Sequence, residues 1–512
     1  MSGRNGTAVM DGAGEGSLIR RLCLPALTSG ADRLAALDDH LETGPCAAPD
    51  AGRALHEAVL AVAVGRDYLR SVTGWLVGRR SFGGQMTGNP VLRQRLAWAI
   101  IALASADAVL ASAGEDEGCD PAAAVSAARD CVGACEQVHA GAAVFDARPG
   151  IVHALFARRV RRAPDAAGLL AGASPAPVYR RLTARLSALP GDEAAQARRL
   201  IAELEQICPV AAATLPEELA VAETMARYLP PGLVGRVLAH RNVTATYLAG
   251  SHVAPVAAEL LPAATDGSVL TALAVTEPHT GSDLAGLASF IRRDGSIRVL
   301  DGVKTYVTGG ADSDALLVAA KTDAGTVLVW VDPGRPGVTR VALPGRAWHD
   351  GGFARIDIRS YEVSERAVHP GDGVSALLRG LARERVMIAG QQLAYARRWL
   401  TDLPTRRDDL ADRVRACRAL LRQTVEVPGI PSLVDCSMVK LACCEVAADV
   451  ADARLELLSA AEGGPGVSAL VDDQAGARAA TVAAGTTDLN LAIVEGKVTA
   501  MFGSAEAEGG QQ

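Results

Sequence analysis

The stretch AVTEPHTGSD, Ala274 to Asp283, decides how the rest of the chain is read. The apolar run VLTALAV leads into it and reads as a strand ending at Val275 and Thr276. Glu277-Pro278 opens a turn, and Gly281-Ser282-Asp283 closes it. A strand end with small hydroxyl residues and exposed backbone N–H groups suits hydrogen bonding to a flat heterocycle and a phosphate. Further on, GVKTYVTGGAD runs from Gly302 to Asp312. It places Tyr306 and Thr308 two residues apart, which on a strand means one face.

Outward from this pair the chain divides by pattern. SIRVLDGVKTYVT, ALLVAAKT, TVLVWVD, GVTRVAL and ARIDIRSYEV are short β-rich runs bounded by Gly, Asp and Pro. They predict an antiparallel β domain over residues 266–367. Residues 175–265 read as helical, with a break at Pro230-Pro231-Gly232, and residues 370–500 are helical again. Residues 51–165 form a further helical domain behind an extension over residues 1–50. The segment APDAAGLLAGASPA reads as a linker, and residues 501–512 read as a disordered tail. The expected fold is mainly α with a central antiparallel β domain.

Composition bounds the function. A chain of 512 residues suggests three or four domains, and a hydrophobic share of 49% supplies their cores. The formal charge is −7 and no basic stripe occurs, which argues against nucleic acid as a partner. No charge-free run long enough to span a membrane appears, and the N-terminal stretch lacks a signal-peptide core. A cytoplasmic protein is expected. The ten cysteines show no CxxC pair or ligand spacing, so they read as small buried residues, with no metal site.

TEP-x-x-GSD followed by G-x-K-x-aromatic-V-T-G-G resembles the acyl-CoA dehydrogenase family, whose central β domain carries both motifs in this order. The resemblance implies a helical domain, a β domain and a C-terminal four-helix bundle around FAD. It implies that Thr276 meets the flavin pyrimidine edge, Ser282 the pyrophosphate and Thr308 the region of N5. It also implies that Tyr306 stacks near the isoalloxazine.

Removing an α-proton from an acyl thioester needs a held carboxylate and a hydrogen-bonded carbonyl. Most of the family draws this glutamate from a C-terminal YEGTSE-like motif. The matching stretch here is AAGTTDL, and Ala484 stands in that place. Isovaleryl-CoA and long-chain acyl-CoA dehydrogenases instead use a glutamate on an earlier helix, and ARERVMIAG offers Glu384-Arg385. The resemblance therefore implies Glu384 as the base and the Ala484 backbone N–H as a donor to the thioester carbonyl. Gly485, Thr486 and Asp488 keep the end of the motif, and the resemblance implies that Thr486 lies near the flavin's diphosphate. A lone helical Glu more often faces water or pairs with its own helix, and that reading of Glu384 stands beside the first.

In this family the ADP half of each flavin is gripped by a neighbouring subunit, through R-x-x-F-G and Q-x-x-G-G segments. Neither is intact after Glu384. Both have counterparts near the N-terminus: GRRSFGG offers Arg79, Ser81 and Phe82, and QVHAG offers Gln137 and Gly141. Residues 51–165 thus resemble a second C-terminal domain, implying a fused pseudo-dimer with one FAD per chain. Association into a homodimer by other faces stays open.

The resemblance implies an FAD-dependent enzyme dehydrogenating an acyl thioester at its α,β carbons. The acyl carrier is CoA or an acyl carrier protein, and an electron-transfer flavoprotein or oxygen is the acceptor. A short N-terminal helical domain leaves the substrate open, including a role in secondary metabolism. Two further readings are a flavin-dependent oxygenase on the same fold and a non-catalytic partner subunit. Of the remaining residues, His279 reads as solvent-facing, Asp283 as a cap, His139, Trp75, Trp330 and Trp399 as packing, and Arg385 as orienting the base or pairing with a nearby acid.

Overall fold

The computed structural model describes residues 50–77, 79–81, 84–112, 121–139, 192–403, 405, 407–459 and 466–509. The chain forms two compact units, residues 1–169 with 497–512, and residues 170–496.

In the first unit, α1 (Asp50–Val77) and α2 (Pro90–Ala111) pack on α3 (Pro121–His139). Between α1 and α2 lies a small hairpin of β1 (Arg80–Ser81) and β2 (Gly84–Gln85). Pro90 opens α2 at a position where the missing N–H costs nothing, and the Asn89 side chain accepts from the Val91 and Leu92 N–H groups. By length and composition α2 could cross a membrane, but half of its apolar window is buried inside the protein, as in a core helix. Cys131 and Cys135 are free, buried packing residues, as their spacing implied.

The second unit begins with α4 (Glu193–Ile207), α5 (Leu215–Tyr228), α6 (Pro231–Val243) and α7 (Ala257–Thr265). The break at Pro230 falls between α5 and α6, as the sequence reading has it. A single π-turn, Thr244–Leu248, continues α6. His240 ties this layer to the sheet: Nδ1 accepts from the Thr271 N–H at 3.0 Å, and Nε2 donates to the Ala264 carbonyl at 3.0 Å. Burial pulls its proton affinity down to about 4, so it is neutral at pH 7.

The sheet holds β3 (Thr271–Ala274), β4 (Phe290–Asp294), β5 (Ile297–Val307), β6 (Ala315–Thr322), β7 (Gly325–Val331), β8 (Val338–Ala342) and β9 (Ala354–Glu362). Its order is β3-β6-β4-β5-β9-β8, with β7 also on β6. This corrects the expected antiparallel domain: β3 and β4 both meet β6 in parallel, so the sheet is mixed. Leu316 to Ala320 of β6 are buried without alternation, as expected of a strand covered on both faces. β4 has no counterpart among the predicted strands, because FIRRD offers no apolar run. Its cue is the Asp294-Gly295 turn, with Gly295 at φ 60° joining it to β5.

Five helices follow: α8 (Gly373–Thr401), α9 (Asp408–Val425), α10 (Leu433–Ser459), α11 (Val467–Val482) and α12 (Thr487–Gly509), whose residues from 497 on belong to the first unit. The expected disordered tail needs correction, since α12 runs on to Gly509 through the helix-favouring stretch AEAE. The α8 helix packs along α10, α5 and α9, and α10 against α11. Cys417, Cys436, Cys443 and Cys444 are free and buried in this layer.

Candidate active site

The 276–283 turn is held by an ion pair that the sequence reading left unused. Glu277 is buried, and its carboxylate accepts from Lys304 Nζ at 2.7 Å, from the Ala288 N–H at 2.6 Å and from the Ser289 N–H at 3.0 Å. Burial works against this carboxylate, but the hydrogen bonds from Lys304 and the Ser289 and Ala288 groups win and hold it at about 2. Lys304 also donates to the Val275 carbonyl at 3.1 Å. The Glu of TEP and the Lys of GVKTY thus tie the turn to β5. The cue was a rare lysine at an inward strand position.

Because folding depresses the Glu277 pKa, its ionisation adds stability above about pH 4.5 and loses that contribution as the pH falls through about 2. Replacing Lys304 by Met leaves a buried carboxylate unpaired. It should cost about 3–5 kcal/mol in denaturant unfolding. A loss below about 1 kcal/mol would show that the pair is not structural.

Around this anchor, Thr276 is half-buried, and its carbonyl accepts from the Thr305 N–H at 2.8 Å. His279 is exposed and Asp283 caps the next turn by accepting from the Ala285 N–H at 2.9 Å, both as expected; Ser282 is exposed as well. Tyr306 and Thr308 differ from expectation. The pairing of β5 with β9 slips between Lys304 and Val307, and Tyr306 takes a left-handed φ of 54°. The strand ends at Val307, so Thr308 lies in the following turn and strand alternation does not relate the two. The bulge leaves the Tyr306 ring 69% exposed, the most exposed large apolar side chain among the described residues.

The turn after Thr308 rests on α6. Gly309 has φ 70° over the Arg236 side chain, and the buried Arg236 guanidinium pairs with Asp312. The Gly309 N–H donates to the Gly351 carbonyl at 2.8 Å and the Ala311 N–H to the Gly352 carbonyl at 3.0 Å. That neighbouring loop holds Trp348, also left-handed at φ 51°, stacked on Phe353. Trp348, Ala483 and Ala484 all pack against the small cluster of Ile388, Cys444 and Ala480. The loop bonded to the 308–312 turn and the α11–α12 connection thus share one apolar cluster.

That connection is built from backbone held by buried donors. Ala484 has φ 52° and Gly485 φ 101°. A left-handed alanine costs roughly 1 kcal/mol and persists only where its surroundings fix it. Arg385 Nε donates to the Ala484 carbonyl at 3.0 Å. Lys440 Nζ donates to the Thr481 carbonyl at 2.6 Å and the Gly485 carbonyl at 2.9 Å. Asn490 Nδ2 adds a bond to the Gly485 carbonyl at 2.7 Å. Thr486 caps α12 by accepting from the Leu489 N–H at 3.2 Å, and Asp488 is exposed in the first turn.

Glu384 lies on α8, one residue before the Arg385 that bonds this turn. It keeps partial solvent access, yet protein encloses its carboxyl closely enough to push the pKa up to about 7. Burial is the cause, opposed by the positive charges of Arg385 and Lys440. It is therefore no solvated surface glutamate. Arg385 orients the Ala484 carbonyl, a more specific role than the sequence reading gave it. One residue before Glu384, Arg383 shares the buried Glu218 carboxylate with Arg241, which joins α8 to α5 and α6.

Only part of the predicted N-terminal grip falls on described residues. Arg79 is exposed, with its guanidinium 4.2 Å from the centre of the Trp75 ring. Trp75 meets His139 edge-on, and His139 Nδ1 lies 3.2 Å from the Tyr68 hydroxyl. Gln137, exposed in the last turn of α3, gives its carbonyl to Arg95 at 2.9 Å. Arg79 and the end of α3 are thus brought to one end of the first unit, and His139 is the packing residue expected. Ser81 lies in β1, while Phe82 and Gly141 fall outside the described residues.

Residues 272–353 match the family of the acyl-CoA dehydrogenase middle domain. The mitochondrial isovaleryl-CoA dehydrogenase of Pongo abelii is 29% identical over 165 residues, or 30% of this chain and 39% of that protein. The chain thus spans about two fifths of the length of that relative. An acyl-CoA dehydrogenase from Geobacillus kaustophilus superposes with a TM-score of 0.56 at 20% identity, covering 66% of this chain and 98% of the other. A glutaryl-CoA dehydrogenase from Mycobacterium smegmatis, solved in complex with FADH2, gives 0.55 at 18% identity, covering 66% and 95%. The chain carries an acyl-CoA dehydrogenase middle domain, set in the fold of the acyl-CoA dehydrogenases.

Proposed function

We propose that the protein is an FAD-dependent oxidoreductase that dehydrogenates an acyl thioester at its α,β carbons. The observation that carries this is the enclosed carboxyl of Glu384, which feels the same two buried cations, Arg385 and Lys440, that fix the left-handed Ala484 turn. The residues present fit a flavin. A strained, exposed aromatic, Tyr306, stands at a bulge beside the Thr308–Gly309 turn, and Thr276 and Ser282 line the neighbouring strand end. Bound FAD would accept the hydride equivalent from the β-carbon.

The chain's own residues do the rest. Glu384, once ionised, takes the α-proton. The Ala484 N–H, for which no described residue serves as acceptor, donates to the thioester carbonyl and stabilises charge developing on it. Arg385 and Lys440 fix that turn. By their likeness to the family's grip motifs, Arg79 and Gln137, at one end of the first unit, take the ADP half of a bound FAD. The acyl group is carried by CoA or by a carrier protein, in a secondary-metabolic setting.

The test is anaerobic titration of the purified holoprotein with a panel of acyl-CoA and acyl-carrier thioesters. Bleaching of the flavin band with formation of the enoyl thioester is the expected result. Oxygen incorporated into product on aeration would replace dehydrogenation by oxygenation, and a colourless protein would return the reading to a non-catalytic partner.

A further inference from the structure

Lys440 is the buried group that the chemistry above leaves least explained. It lies in the middle of α10, fully buried, flanked by Val439, Leu441, Cys443 and Cys444, all buried. A leucine or methionine would fill such a position at far lower cost, since a buried ammonium pays heavily for its lost water. Among the described residues no carboxylate lies within ion-pairing distance of it. Its partners are the Thr481 and Gly485 carbonyls. Arg385 is in the same position: fully buried, Nε on the Ala484 carbonyl, and Nη1 without an acceptor.

Two cations are therefore buried side by side beneath one short turn. Burial pulls the proton affinity of each down, and the charge of Arg385 pulls that of Lys440 down further. One acid feels both of them, Glu384. Glu445 also acts on Lys440 from its own helix, but its carboxylate accepts from the Thr487 hydroxyl at 2.9 Å. The remaining titratable group near Glu384 is Tyr247 of the π-turn, whose phenol burial keeps neutral.

We propose that Lys440 is a positioning residue acting on both halves of the acyl site. Its two hydrogen bonds hold the turn that presents the Ala484 N–H, and its charge, with that of Arg385, favours Glu384 as the carboxylate that accepts a proton. The part played by Glu384 in turnover rests on the dehydrogenase reading; the coupling of Lys440 to Glu384 does not.

The experiment reads the two separately. The carboxyl stretch of Glu384 is followed by infrared difference spectroscopy across neutral pH in the full-length holoprotein, assigned by its disappearance in Glu384→Gln. Lys440→Gln keeps a neutral donor for the turn and removes the charge. Lys440→Met removes both, and Lys440→Arg keeps the charge. The titration midpoint should rise by about one pH unit in Lys440→Gln and Lys440→Met, and return towards the wild-type value in Lys440→Arg. The acid limb of substrate-dependent flavin reduction should move with it, with a lower limiting rate in Lys440→Met than in Lys440→Gln. A midpoint unchanged in whichever charge-removing variant folds overturns the proposal. A midpoint that moves in a protein that reduces its flavin with no acyl thioester leaves the coupling standing and removes the dehydrogenase reading.

Discussion

Glu384→Gln is expected to slow substrate-dependent flavin reduction on the order of 10³-fold while the flavin stays bound. The amide fills the same space and cannot take a proton. The wild-type rate should show a matching acid limb. The Glu384 pKa stands at about 7, so activity rises with pH as the carboxyl ionises through that value. The effect on folding has the opposite sense. A carboxyl whose pKa is raised by folding favours the protonated state, so its contribution to stability is complete below about pH 4.5 and is lost as pH rises through about 7. Activity should therefore climb over a window in which this group makes the fold slightly less stable. A Glu384→Gln protein reduced at the wild-type rate would move the proton-abstracting role to another residue, and a flat rate profile across neutral pH would do the same.

The second large effect concerns the first unit. If Arg79 grips the cofactor diphosphate from within the same chain, Arg79→Glu should weaken FAD binding by roughly 10²-fold or more, since it replaces an attractive charge by a repulsive one. Removal of residues 1–165 should go further and leave a protein that purifies without flavin. Equilibrium dialysis against FAD measures both. The reversal should leave the thermal unfolding of the apoprotein nearly unchanged, because Arg79 is exposed and its recorded contact is with the Trp75 ring. Full FAD affinity in the truncated protein would end the fused-site account and leave the first unit without a part in cofactor binding.

What the sequence made legible follows from which forces leave a local trace. Strands with apolar runs, such as β6 and β7, could be read directly. So could the helix break at Pro230, where ring geometry acts locally. The hairpin strand β4 could not, because Arg292, Arg293 and Asp294 hide a strand whose pairing is decided by its turn and its neighbour. The parallel pairing of β3 with β6 depends on a connection between distant segments and leaves no periodic mark. The left-handed Tyr306 is the sharpest case: alternation placed it on a face with Thr308, and a bulge removed that relation.

The site divides in the same way. Thr276, Glu384 and Ala484 were visible as motif positions. The groups that hold them were not. Glu277 with Lys304, Arg236 with Asp312, and Lys440 beneath Gly485 are long-range pairs, each joining segments far apart in sequence. Their signal in one sequence is only a charged residue set among apolar ones. Trp348 was likewise one aromatic in a glycine-rich loop until the packing placed it on the cluster of Ile388, Cys444 and Ala480 that Ala484 also covers.

The central claim, that Thr271 to Asp312 builds one wall of a flavin site, is tested most directly by the cofactor content of the purified full-length protein. The account predicts flavin absorbance bands and, on release by denaturation, one FAD per chain. A colourless protein that takes up no FAD on incubation with the free cofactor would contradict it.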